Sequence, residues 1–148
     1  MSSVTRKDSE LWKRLVSGRV QGRVVVGVPE GAGTHGDTQK TVALVAQWLH
    51  DGTATIPARP FLSVPLDGRT AAVQKMAQRV SKAVLDGKLT EEAALTILGQ
   101  WARDHVLQAI NAGFPPPNAP STVAAKGSST PLIDTGQLKS SISFEVKT

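Results

Sequence analysis

Three stretches of the chain carry residue types whose spacing suggests chemistry. Gly31-Ala32-Gly33-Thr34-His35-Gly36 spells G-x-G-x-x-G, between a valine-rich run and a helical pattern. In a dinucleotide-binding turn such glycines let the backbone approach a pyrophosphate, and the following helix N-terminus receives its charge. Asp51 stands 20 residues after Gly31, near the expected distance of a ribose-binding acid. Three details oppose that reading. Pro29-Glu30 separates the strand from the glycines, Asp51 falls at the end of a helix, and no further βαβ unit follows. The expectation is a loop that binds no cofactor.

Leu132-Ile133-Asp134-Thr135-Gly136 matches the apolar-apolar-Asp-Thr-Gly of aspartic proteases. That mechanism needs two aspartates sharing one proton, so a single copy would act only as a dimer. The protease pattern continues with Ala or Ser, whereas Gln137 follows here. A turn is the better reading, with Asp134 bonding the backbone ahead of it and Gly136 supplying an unusual dihedral. His35, His50 and His105 sit in separate elements with no metal-binding spacing. No nucleophile is paired with a base at a readable spacing. No catalytic or metal-binding residue is expected. Lys75, Arg79 and Lys82 fall on one helix face, which reads as a solvated surface or, more sharply, as a phosphate-contacting one.

Composition narrows the classes further. The 148 residues suffice for one ordinary domain, here residues 1–148. The absence of cysteine excludes disulfides, thiolate metal sites and cysteine nucleophiles. With 4% aromatic residues and no tyrosine, a stacking platform for single strands is weakly supported. The net charge of +5 permits contact with nucleic acid. Arg6, Lys7, Lys13, Arg14, Arg19 and Arg23 concentrate it near the start, and residues 29–68 are net acidic. No apolar run approaches the ~20 residues of a membrane span, and no secretory leader is expected from the first residues.

These motifs must be positioned by an α+β framework. Asp8 or Ser9 opens a short helix with Leu11, Trp12, Leu15 and Val16 on one side. Arg23 to Val28 reads as a strand with Val24, Val26 and Val28 on one face. Asp37 is read as the cap of a helix to about His50, striped by Val42, Val45, Ala46 and Leu49. Ile56 to Phe61, interrupted by Pro57 and Pro60, reads as extended chain contributing to the sheet. Asp67 is read as the cap of a second main helix, striped by Val73, Met76, Ala77, Val80 and Val84. Thr90-Glu91-Glu92 opens a third, lined by Leu95, Leu98, Ala102, Val106 and Ala109 and stopped by Gly113. Residues 114–131 read as an irregular arm whose prolines project it from the body. Ser141 to Lys147 alternates cleanly, with Ile142, Phe144 and Val146 inward. The expected fold is a small antiparallel sheet packed against about three main helices, with long extended loops at 30–36 and 114–131.

Two segments carry a resemblance. Trp48-Leu49-His50-Asp51-Gly52-Thr53 followed by Pro57-Ala58-Arg59-Pro60-Phe61-Leu62 is similar to the "acidic-Gly-Thr, then Pro-Ala-Arg-Pro-Phe" signature of tail-completion, neck and virion-morphogenesis proteins of long-tailed bacteriophages. Leu132-Ile133-Asp134-Thr135-Gly136-Gln137-Leu138 with Ser141-Ile142 resembles their "Leu-x-Asp-Thr-Gly-x-Leu-x-x-Ser-Ile" segment, and Asn118 to Thr122 and Lys126-Gly127 fit the same habit. The pattern covers most of residues 20–148. One departure is that Asp51 meets Gly52 directly, where the family usually has an aromatic between them.

The resemblance implies a non-enzymatic structural subunit of the virion, assembled in the host cytoplasm. It implies a ring, taken as six copies, at the head–tail junction or the top of the tail, touching neighbouring neck and tail proteins. A tail terminator or head-closure subunit is the nearest alternative, and a small basic DNA-binding protein the next. Non-specific contact with DNA passing through the ring is compatible with the charge, and no membrane partner is expected. The interface candidates are Pro57, Arg59, Pro60, Phe61, Lys126 and Asp134. Pro57 to Pro60 reads as a stiff surface segment presenting Arg59 to a partner carboxylate, or simply as chain routing between helices. Lys126 is placed to meet a carboxylate on a neighbouring subunit.

Overall fold

The computed structural model describes residues 22–35, 39–113, 115–117, 120, 124 and 136–147. The short helix expected around 8–17, Asp37, Lys126 and Asp134 lie outside them. Strands β1 (Arg23–Gly27) and β2 (Ser143–Lys147) pair antiparallel, with Val24 opposite Val146 and Val26 opposite Phe144. A 3-10 turn (Glu30–Ala32) follows β1. The helices are α1 (Val42–Asp51), α2 (Ser63–Asp67), α3 (Thr70–Leu85), α4 (Glu91–Asn111) and α5 (Gln137–Ser141). This is the expected α+β class: a small antiparallel sheet joined from opposite ends of the chain and packed against helices.

Helix α4 is the central element, with both strands, α2 and α3 lying against it. Its start follows from Thr90, whose Oγ1 accepts from the Ala93 N–H at 3.1 Å. Glu91 and Glu92 occupy the first turn, where the helix dipole favours carboxylates. Glu91 also anchors the sheet, accepting the Gly22 N–H at 3.0 Å. At the other end of the sheet, Arg103 Nε donates to the Ile142 carbonyl at 2.8 Å. The alternation in both strands holds: Val24, Val26, Phe144 and Val146 are half-buried, and the residues between them are exposed apart from Gly27. The core cluster is Val42, Ala46, Phe61, Val106, Ile110, Leu138 and Ile142.

Several expectations are corrected. Ile56 to Phe61 forms no strand, and the only sheet among the described residues is the β1–β2 pair. Pro57 and Pro60 have no N–H to give a ladder, and the Arg59 N–H is taken by the Leu49 carbonyl at 2.8 Å. Helix α1 is capped by Thr41, whose Oγ1 accepts from the Leu44 N–H at 3.2 Å, because a Thr34–Thr41 bridge keeps the chain extended up to that point. Asp67 does not open a long helix. It closes the five-residue α2, where Pro65 is tolerated because it stands within the first turn, and Arg69 precedes α3. The stripe of α4 is centred on Ala94, Leu95, Gly99, Val106 and Ile110, one position off the expected line at its C-terminal end. Phe144 is half-buried, not fully buried. Within 114–131, the described Pro120 and Ala124 have helical backbone.

Candidate functional site

The segment from Trp48 to Ser63 is a loop in which each unusual residue has a structural cause. Gly52 ends α1 with its N–H on the Trp48 carbonyl at 2.8 Å and takes φ 80°, a region open to glycine. A side chain there would also run into the Ala58 backbone. Thr53 Oγ1 then accepts the N–H groups of Thr55 at 3.3 Å and Ile56 at 3.1 Å, closing a tight turn. The chain reverses, and Arg59 N–H meets the Leu49 carbonyl one turn back in α1.

This reversal decides the fate of the interface candidates. Pro57 is exposed and Pro60 half-buried. Phe61 is 0% exposed, the largest fully buried side chain of the core. Arg59 is only 5% exposed. Its Nε donates to the Pro116 carbonyl at 2.8 Å and its Nη2 to the Pro117 carbonyl at 3.4 Å. Burial pulls the Arg59 guanidinium below its ordinary value by desolvation. The surface arginine expected from sequence is therefore a clamp within the subunit. It also ties down the start of the 114–131 arm, which was expected to project freely.

The second resembling segment returns to the same place. Gly136 takes φ 76°, the left-handed conformation expected of it, and leads into α5. Gln137 Nε2 donates to the Thr34 carbonyl at 2.7 Å, reaching into the glycine-rich loop. Leu138 and Ile142 enter the core cluster with Phe61. The glycine-rich loop is thus engaged from two sides, since Gly33 also accepts the Val42 N–H at 2.9 Å. The strand before it pairs antiparallel with β2, and among the described residues no parallel βαβ setting of a dinucleotide turn is formed.

One constellation escaped the sequence. Asp51 Oδ1 lies 2.8 Å from His50 Nδ1, and Ser63 Oγ lies 3.3 Å from His50 Nε2. A carboxylate oxygen can only accept, so Nδ1 donates, and in the neutral ring Nε2 is then the nitrogen able to accept from the Ser63 hydroxyl. The His50 ring meets Phe61 edge-on at 5.7 Å between centroids. A depression of about 210 Å³ lies alongside, lined by Val28, Ala43, Ala46, Gln47, His50, Asp51 and Leu62. His50 and Ser63 are 13 residues apart, in a helix and beyond a proline-rich loop. Only the loop reversal brings them together, and no fixed spacing signals that.

The other histidines have local partners. His105 Nδ1 donates to the Trp101 carbonyl at 2.8 Å, and its ring lies 4.0 Å from the Trp101 ring. Among the described residues no group of histidines and carboxylates is placed to hold a metal ion. No described helix is long and apolar enough to cross a membrane. No protein-family model matches the chain, and neither a curated protein nor a solved structure matches it.

Proposed function

We propose that the chain is a structural subunit of a long-tailed bacteriophage virion, a tail-completion or neck protein that assembles as a ring at the head–tail junction or the top of the tail. One observation carries the reading. The two segments that bear the resemblance are far apart in sequence, yet Phe61 from one packs in a single buried cluster with Leu138 and Ile142 from the other. Their shared pattern therefore has a physical reason to be kept together: it builds one core. Of the interface candidates, Pro57 is on the surface and Arg59 and Phe61 serve the subunit itself. Contacts between copies then fall to other surfaces, with Lys126 and Asp134 among the candidates. A tail terminator or head-closure subunit would meet the same description.

Quantitative mass spectrometry of purified virions, with immunogold labelling of the neck, tests this. Several copies per virion at the head–tail junction are expected. A single copy, or none, overturns the reading.

A second reading, a small basic DNA-binding protein, has its own observation. Lys75, Arg79 and Lys82 are all exposed along α3. Binding to random duplex DNA that weakens steeply with salt, with no protein in virions, would favour it.

A further inference from the structure

We propose that Ser63 is a nucleophile activated by His50, with Asp51 as the positioning residue, and that the site accepts small carboxylic esters with a compact apolar acyl group. This inference does not depend on the ring reading. Its three groups stand in the order that acyl transfer requires. The Asp51 carboxylate, 2.8 Å from Nδ1, fixes the tautomer of His50. That leaves the Nε2 lone pair facing the Ser63 hydroxyl at 3.3 Å. A serine hydroxyl is a weak nucleophile until a neighbouring base takes its proton, and this contact supplies the base. At 3.3 Å the contact is longer than the ~2.6–3.2 Å of a formed nucleophile–base hydrogen bond, and such contacts often tighten only when substrate binds.

The depression beside the histidine has Val28, Ala43, Ala46 and Leu62 as its apolar wall and Gln47, His50 and Asp51 as its polar side; Ser63 adjoins it through His50 and the preceding Leu62 and does not itself line it. His50 is part-shielded, with 24% of its side chain exposed, while Asp51 is 60% exposed. Asp51 is thus a weak electrostatic partner and a tautomer-setting one.

Ser63 Oγ forms a bond to the ester carbonyl carbon while its proton passes to His50 Nε2. The carbon–oxygen bond to the leaving alcohol breaks, and the alkoxide takes that proton. Water then attacks the acyl-serine, giving its proton to His50, and the Ser63 alkoxide recovers it as the carboxylic acid leaves. No oxidant, reductant or metal is needed.

The test uses the whole chain and p-nitrophenyl acetate. Wild type is expected to release p-nitrophenol with an initial burst, to carry an acetyl group on Ser63 by peptide mass, and to lose roughly a hundredfold in rate in Ser63→Ala and His50→Ala, the size of a general-base effect. Equal rates in wild type and Ser63→Ala, or acetylation only at lysines, overturn the proposal. A second arm reads the Ser63–His50 contact without substrate turnover. The chain has no cysteine, so Ser63→Cys introduces one thiol. Alkylation of that thiol should be fast at a pH below the ordinary thiol range, and slow when His50→Ala is added. A serine that merely tethers α1 to α2 would leave the alkylation profile unchanged by the loss of His50, and that outcome also overturns the proposal.

Discussion

The ring of Phe144 on β2 lies directly over Gly99 in the middle of α4, so that any side chain at 99 would have to displace it. This contact explains why a glycine is buried inside a long helix, where it ordinarily costs about 1 kcal/mol relative to alanine. Gly99→Ala therefore sets two effects against each other. The overpacking cost of ~1–3 kcal/mol outweighs the gain in helix propensity, because a Cβ would meet three ring atoms at once. Chemical denaturation should show net destabilisation. A Phe144→Leu background, with a smaller side chain at the contact, should remove most of that loss. Stabilisation by Gly99→Ala alone would mean that the ring moves freely.

Phe144→Ala is expected to cost less than the ~3–5 kcal/mol of a fully buried phenylalanine, since this ring is half-buried. Phe61→Ala should reach that range, because Phe61 is fully buried. Pro57→Ala, in the same loop but exposed, should leave the unfolding midpoint nearly unchanged. Equal effects at 57 and 61 would show that the loop does not hold Phe61 as described.

Much of this framework was legible because it rests on periodicity. The alternation around Val24–Val26 and Phe144–Val146, the α1 stripe and the Thr90 cap are local patterns, and each appears where the residues demand it. What escaped is what depends on chain reversal. Pro57 to Phe61 reads as extended surface from its prolines, yet the turn at Gly52 and Thr53 folds it back so that Arg59 and Phe61 point inward. The same reversal assembles Asp51, His50 and Ser63. A helix cap can also move by several residues when a bridge such as Thr34–Thr41 delays the helix, which no single-residue preference reveals.

Gly52 is the pivot of that reversal. Gly52→Ala would combine an unfavourable positive φ with a clash against the Ala58 backbone. Backbone strain of this kind costs ~1–3 kcal/mol. The substitution should lower the melting temperature and also slow p-nitrophenyl acetate turnover, since Ser63 is placed by the same loop. A stable Gly52→Ala protein would contradict the assigned backbone.

Asp86 provides the acid-side prediction. Its hydrogen bond to Lys82, 2.6 Å long, holds its carboxyl below the usual carboxylate range, with the charges of Lys82 and Lys88 adding weaker pulls. A carboxyl whose pKa is depressed by folding stabilises the fold above its unfolded value, and that contribution fades as pH falls through the folded value. The pair is exposed, so the effect is small and salt-sensitive. Asp86→Asn should lower the melting temperature slightly at pH 7 in low salt, and the difference should shrink as the pH falls through the depressed folded value of Asp86. A difference that persists at low pH would assign the effect to packing.

The Arg59 clamp makes the last prediction. Two backbone carbonyls, those of Pro116 and Pro117, accept from one buried guanidinium. Hydrogen bonds to a charged donor contribute ~1.5–3 kcal/mol, and the loss is greatest when a buried partner is stranded. Here the prolines themselves are exposed, so water can reach their carbonyls once the arginine is gone. The cost of Arg59→Ala should therefore lie at the lower end of that range, and its main effect should be local. Limited proteolysis should cut within residues 114–131 sooner in Arg59→Ala than in wild type, at a temperature where both remain folded. Arg59→Lys should fall between them, because an ammonium lacks the planar fork that addresses two carbonyls at once. If the ring reading holds, the variant would also assemble poorly, since the arm would leave the body from an unfixed root. Unchanged proteolysis in Arg59→Ala would show that the prolines are held by other contacts and that the arginine is only packed beside them.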